Sequence, residues 1–294
     1  MLVTIQNERY TAVISSLGAE LQSFRENDGF EYIWEGKEEF WSGRSPVLFP
    51  IIGNLRNDQI QINGKNYSIP KHGFARRMEF TLIGSDEGSA VFELKANEAT
   101  LTQYPFLFSL TLSYSFTEDG LRIDYRVKNC GEEPMLYCLG THPAFRCPLM
   151  EEERFEDYRV SFNKNEAGKS LVYENKIKAI DMAQQADVLK DNGIDLNYRL
   201  FDNDALIFDS ISSDAVRLSH REKGHGMELR FADFDAIGVW TPFHRESPFV
   251  CLEPWNGMAV RTDEGDDFAK KRLVKTIEPQ TTDCYYLEFV PLNG

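Results

Sequence analysis

Basic residues are scarce in this chain. Its 294 residues carry 32 Lys and Arg against 47 Asp and Glu, a net charge of −15 with the histidines neutral. That deficit excludes a general DNA or RNA binder, which needs clustered cations to displace counterions. It also argues against docking on anionic lipid. Cysteines are few, at 130, 138, 147, 251 and 284, and none forms a Cys-x-x-Cys pair. The pattern predicts free thiols in a cytoplasmic protein rather than a disulfide framework. Long apolar runs are missing too. The most apolar window, Pro46 to Ile52, holds two prolines and falls far short of the ~20 residues of a membrane span. No basic region followed by an apolar stretch opens the chain, so no signal peptide is expected. The Asn66-Tyr67-Ser68 sequon is then a chance match. There is no Gly-x-x-x-x-Gly-Lys loop, no Gly-x-Gly-x-x-Gly and no Gly-x-Ser-x-Gly elbow. The histidines at 72, 142, 220, 225 and 244 make neither His-x-x-x-His nor His-Glu-x-x-His, so no metal is expected.

Apolar and aromatic residues are plentiful. The chain is 42% hydrophobic and 13% aromatic, with 21 Phe and 12 Tyr, enough for a sizeable core with large side chains in strands. Phe106, Phe108, Leu110, Leu112, Tyr114 and Phe116 alternate with smaller or polar residues. Asp119-Gly120 follows, then Leu121, Ile123, Tyr125 and Val127 alternate with charged residues. Period 2 on both sides of a turn predicts a long hairpin with one buried face. A second hairpin is predicted around Asn63-Gly64, between 59–62 and 65–69. Further strands are expected at 2–6, 10–15, 18–24, 79–83, 89–95, 157–163, 205–210, 215–219, 227–232, 236–240, 249–253, 273–278 and 284–290. Short helices are expected at 98–104 and 264–271. The acid-rich run Glu151 to Asp157 reads as a solvated loop or edge, and His220 and His225 as a polar hairpin tip. With no repeat, no linker and no alternation of strands with long helices, a single all-β domain over 1–294 is expected, with stacked or closed antiparallel sheets and few short helices.

Four segments place polar residues inside apolar, Gly/Pro-punctuated sequence: Ser45 to Arg56, Lys71-His72-Gly73-Phe74-Ala75-Arg76, Leu139-Gly140-Thr141-His142-Pro143-Ala144-Phe145 and Val250-Cys251-Leu252-Glu253-Pro254-Trp255-Asn256. Glu253 stands out, because a carboxylate at the end of a buried strand costs free energy unless it is paired or used. A satisfied buried polar group explains any one segment. Four of them, holding two His, two Arg and a Glu, point to a site.

In this order the segments resemble the aldose 1-epimerase (galactose mutarotase-like) superfamily, particularly its LacX-type branch. The resemblance covers nearly the whole chain. It implies a large antiparallel β-sandwich with a sugar cleft across one face, and an enzyme that interconverts hexose anomers without a cofactor. Carried over by position, it makes Glu253 the general base, His142 the general acid and His72 the second active-site histidine, near the ring oxygen. Arg56 would hold sugar hydroxyls or the base. The sugar-binding aspartate falls on Asp204, with Asp202 as the alternative. The galactose mutarotases carry Asn-His-x-Tyr-like and Leu-His-Gly-Gly motifs where this chain has Thr141-His142-Pro143 and Lys71-His72-Gly73-Phe74, so the resemblance does not extend to galactose specificity.

Sugar rings need stacking faces, and Trp240, Trp255 and Phe74 are candidates. Trp34 and Trp41 have no catalytic neighbour in sequence and read as packing residues. From Asn54 to Arg77 the bases Arg56, Lys65, Lys71, Arg76 and Arg77 face one acid, Asp58, a local balance of +4. If Arg56, Lys71 and Arg76 converge on the cleft, a hexose 6-phosphate becomes a competing substrate. The expected partner is thus a small sugar, phosphorylated or not, with the protein a monomer or weak homodimer. A non-catalytic carbohydrate-binding or sensing protein on the same scaffold is the alternative of another class.

Overall fold

The computed structural model describes residues 1–166 and 168–293. Two large antiparallel sheets dominate. The nine-stranded sheet runs in the order Gly193–Asp195, Tyr158–Phe162, Ala215–His220, Gly226–Ala232, Thr282–Leu292, Leu121–Asn129, Phe108–Phe116, Ser89–Lys95, Thr81–Ser85. The eight-stranded sheet runs Ala179–Ala186, Ser170–Glu174, Leu206–Asp209, Ala236–Trp240, Phe249–Asn256, Leu139–Thr141, Val47–Leu48, with Ala144–Arg146 also paired to Phe249–Asn256. Leu2–Gln6, Tyr10–Ser15 and Glu20–Glu26 form a separate three-stranded sheet.

The long hairpin forms as its alternation requires. Leu121 pairs with Phe116 and the ladder runs to Asn129 opposite Phe108. The buried face of Leu121–Asn129 is Leu121, Ile123, Tyr125 and Val127, and the charged residues between them are at least partly exposed. One apolar cluster joins inward residues of both large sheets, among them Ile123 and Leu287 of the larger and Ile237 and Leu252 of the smaller. Aromatic rings bridge the layers: Phe145 meets Phe289 edge-on at 5.3 Å and Phe49 meets Phe108 at 5.0 Å. The architecture is therefore the expected β-sandwich.

Most expected strands appear within a residue or two of their predicted bounds. The second hairpin turns at Asn63 and Gly64, both at positive φ. The helix near 98–104 is Glu98–Leu101, closed by a capping box from Asn97. The helix expected at 264–271 does not form; only Phe268–Lys270 makes a single turn. The chain folds back instead, and the Glu264 carboxylate accepts from the backbone N–H of Arg272 at 3.4 Å. Eight residues of α-helix would separate these positions by ~12 Å. The run Glu151 to Asp157 is not simply solvated either, because Glu153 is buried. Among the described residues no helix is long and apolar enough to cross a membrane.

Candidate active site

The strand Phe249–Asn256 crosses the smaller sheet buried along its whole length. Strand alternation puts Cys251, Glu253 and Trp255 on one face. On one side it pairs with Ala236–Trp240, with Gly238 opposite Glu253. A Cβ on Gly238 would fall 2.5 Å from the Trp255 ring, so glycine leaves the slot that the indole fills. On the other side two short strands share one register, Leu139 opposite Asn256 and Ala144 opposite Cys251. The gap between them is His142-Pro143. Proline has no N–H for a ladder, and the contact left there is Leu252 N–H donating to Pro143 O at 3.2 Å. Continuing that register through the gap sets His142 opposite Glu253, and His142 Nε2 lies 3.2 Å from Glu253 Oε2.

His72 arrives from a different segment. His72 and Gly73 both have positive φ, at 65° and 75°. A Cβ on Gly73 would lie 2.0 Å from Phe49 O, so only glycine lets this turn approach the Ser45–Arg56 stretch. The two segments are laced together: His72 N–H donates to Gly53 O at 2.9 Å, and Gly53 N–H donates to His72 Nδ1 at 3.2 Å. Because Nδ1 accepts, a neutral His72 carries its proton on Nε2 and can donate it. The His72 and His142 rings meet edge-on at 5.8 Å.

These groups line a cavity of about 300 Å³, together with Lys71, Arg76, Asp204, Trp41, Trp240, Trp255 and Tyr173, the lower end of the usual range for small-molecule sites. Burial pushes the Glu253 carboxyl well above the ordinary carboxylate range, with Asp204 pushing the same way and Lys71 opposing. Burial lowers His142 to about 3 against a bond to its own backbone, with Lys71 and Arg76 helping, and takes His72 well below its ordinary value. Asp204 is raised by burial, against Lys71 and the Ala205 N–H that it accepts at 2.8 Å. Every acid–base group of the cavity is thus driven toward its uncharged form, and two cations remain beside them. Cys251 Sγ lies within 4.8 Å of the His142 and Glu253 donor atoms. We assign the trio no metal, because His142 Nδ1 has no partner from another residue among those described, whereas metal-ligating histidines almost always have one.

Most of the expected site residues converge here: Glu253, His142, His72, Lys71, Arg76, Asp204, Trp240 and Trp255. Asp204 and not Asp202 reaches the cavity; Asp202 is exposed and faces His244 at 3.6 Å. Two expectations are corrected. Arg56 lies outside. Asn57 and Asp58 both take positive φ, and the Arg56 guanidinium is exposed and donates to Glu264 O at 2.7 Å. Phe74 faces the core, buried among Phe49, Tyr104 and Phe108. Of the five bases in 54–77, only Lys71 and Arg76 line the cavity. Two aromatic lining residues were not anticipated. Tyr173 lies on Ser170–Glu174, a strand absent from the sequence expectation. Trp41, expected to pack, stacks on His142 with centroids 4.8 Å apart; its sequence signal was a tryptophan just ahead of the first polar-in-apolar segment.

A family model described as aldose 1-epimerase matches residues 1–270. Two curated relatives from Lactococcus lactis subsp. lactis, the chromosomal and the plasmid protein LacX, are each 34% identical over 300 residues that cover 100% of both chains. Among solved structures, a galactose mutarotase-like protein from Lactobacillus casei superposes with a TM-score of 0.92 at 28% identity, covering 99% of this chain and 100% of that one. A galactose mutarotase related enzyme from Lactobacillus acidophilus gives 0.90 at 30% identity, covering 98% and 97%.

Proposed function

The chain belongs to the aldose 1-epimerase family, and from that premise we propose that it interconverts the α and β anomers of a hexose by acid–base ring opening and closure. The observation that carries this is the His142–Glu253 contact inside the cavity, in register across a broken ladder. Anomer exchange removes a proton from O1 and delivers one to the ring oxygen. Both oxygens are bonded to C1, so an acid and a base that are near neighbours suit the task.

The proton balance closes on this pair. The uncharged pair holds one transferable proton, and moving it from Glu253 to His142 leaves Glu253 as carboxylate and His142 as imidazolium. Glu253 takes the O1 proton as His142 gives its proton to the ring oxygen. The C1–O5 bond breaks and C1=O1 forms. Rotation about C1–C2 turns the other face of the carbonyl to the ring hydroxyl, and the steps reverse with the roles exchanged. The pair ends as it began. His72 Nε2–H is placed to support the ring oxygen, and Asp204, Trp240 and Trp255 to hold hydroxyls and a ring face. An anomer-exchange assay by NMR or polarimetry on a panel of free hexoses and hexose 6-phosphates tests this. No acceleration for any of them, with saturable sugar binding, would leave a binding protein instead.

A second reading keeps the reaction and changes the substrate to a hexose 6-phosphate. Lys71 and Arg76 support it: both line the cavity, and Arg76 Nε is buried with no partner among the described residues. Under this reading Arg76→Ala loses turnover on phosphorylated sugar and keeps it on free sugar. Equal loss on both would reject it.

A further inference from the structure

Histidines that move protons are ordinarily aimed by a hydrogen bond at the nitrogen not doing the chemistry. His142 has none. Its Nε2 faces Glu253, and its Nδ1 is buried without a partner from another residue among those described. A fully buried nitrogen with no such partner is uncommon, and something else must fix the ring plane. What touches that plane is Trp41. The indole lies against the imidazole with 28° between planes, and Trp240 meets both rings edge-on, His142 at 5.4 Å and Trp41 at 5.5 Å.

The indole is itself built in. Trp41 stacks on Phe249 at 5.9 Å, and Phe249 stacks on Trp34 at 4.6 Å. Trp34 Nε1–H donates to Trp41 O at 2.8 Å, and Arg245 donates to the backbone at Glu39 and Phe40. Trp34 and Phe249 belong to a small apolar cluster separate from the main core. Gly43 completes the setting: a Cβ there would fall 2.4 Å from Trp41 Cζ2. The backbone at 43 is shaped to let the indole fold back over it.

We propose that Trp41 is the positioning residue for His142, and that the indole face, in place of a hydrogen bond, sets the orientation of the imidazole opposite Glu253. One consequence follows for the chemistry. The indole face stabilises the transient imidazolium by cation–π attraction, in a setting where Lys71, Arg76 and His72 oppose it and Glu253 supports it. The kinetic part rests on the anomer-exchange reading; the orientation part does not.

The test uses three variants of the full chain: Trp41→Leu, which removes the stack, Trp41→Phe, which keeps a ring face, and Gly43→Ala, which displaces the indole without deleting it. In ¹⁵N NMR of the histidine rings, wild type and Trp41→Phe keep two distinct His142 nitrogen signals. Trp41→Leu and Gly43→Ala shift and broaden them as the freed ring samples other orientations. In turnover, Trp41→Leu and Gly43→Ala lose about 10²-fold in kcat, the cost of misplacing a catalytic group by ~1 Å. KM changes by much less, and Trp41→Phe recovers most of the loss. Wild-type His142 signals in Trp41→Leu, or a Trp41→Phe as damaged as Trp41→Leu, would overturn the proposal. If wild type itself exchanges no anomers, the anomer-exchange reading falls and the ring signals alone still decide the role of Trp41.

Discussion

Two glutamates in this molecule are buried beside histidine, and they are built in opposite ways. Glu153 accepts from Lys223 Nζ at 2.7 Å, contacts His225 Nε2 at 3.1 Å and takes the Tyr158 hydroxyl in a short hydrogen bond. His220 stands 3.9 Å away, its Nδ1 accepting two backbone N–H groups at 3.2 Å. Burial pushes the Glu153 carboxyl up, but the bonds from Lys223, Tyr158 and His225 outweigh it and bring it down to about 2. Glu253 has one ion-pair-distance partner among the described residues, His142, and burial carries it well above the ordinary range. A buried carboxylate whose lone pairs are filled is a structural element. One with few partners, facing a cavity and raised by burial, fits a functional role instead.

The largest expected effect comes from removing the Glu253 carboxyl. Glu253→Gln loses at least about 10²-fold in turnover, the low end of what one acid–base group supplies, measured by NMR anomer exchange. The same variant gains thermal stability. A carboxyl whose folded pKa is raised withdraws stability as pH climbs from the unfolded value, 4.5, to the folded one. Gln does not titrate, so the melting-temperature gap over wild type widens across that window. A smaller loss of turnover, or a destabilised variant, would place Glu253 with Glu153 as a structural residue.

Glu153→Gln inverts the pattern. Turnover stays at the wild-type level, while stability at pH 7 falls by about 1–3 kcal/mol, the cost of leaving buried partners unpaired. The sign with pH is opposite as well. A carboxyl depressed in the folded state contributes above its unfolded value and loses that contribution as pH falls through the folded one. The difference from wild type, read in urea titrations, therefore shrinks between pH 4.5 and about 2.

The contrast between the two clusters was only half legible in the sequence. Glu253 announced itself because it follows the apolar run Phe249 to Leu252 directly, ahead of Pro254. Glu153 hid in an acid-rich run, since its partners Lys223 and His225 come from a distant hairpin that local sequence does not place. The same split runs through the fold. Long strands with one buried face, such as Leu121–Asn129, show period 2 and were found. Val47–Leu48, Leu139–Thr141 and Ala144–Arg146 are two or three residues long and largely buried, so they show no alternation to read. These are the strands that bring His142 to Glu253. Trp41 was missed for a related reason: its partner is about a hundred positions away.

A subtler test is the acid limb of kcat/KM. The working pair holds one proton, and a second must go to His142 while Glu253 is already protonated. Burial takes His142 down to about 3 from 6.5, so activity stays flat through pH 6.5 and declines only toward that lower value. The assay needs brief exposure to acid, because the Glu153 cluster loses its contribution in the same range. A limb centred near 6.5 would mean that His142 meets water as an exposed histidine does, which would erase the difference between the two clusters.

The smallest effect is expected at Arg56. It sits in the polar-in-apolar sequence that delivers Gly53 to the cavity, yet positive φ at Asn57 and Asp58 accompanies a side chain turned to the surface. There it donates to Glu264 O and lies 3.9 Å from the exposed Asp266 carboxylate. An exposed pair of this kind is worth about 0–1 kcal/mol. Arg56→Ala therefore leaves turnover unchanged and shifts stability by less than about 1 kcal/mol, as urea melts and the anomer-exchange assay would show. A loss approaching that of Glu253→Gln would mean that the 261–266 segment carries Arg56 into the cavity during turnover. The site would then include a third cation beside Lys71 and Arg76, and the case for a phosphorylated sugar would strengthen with it.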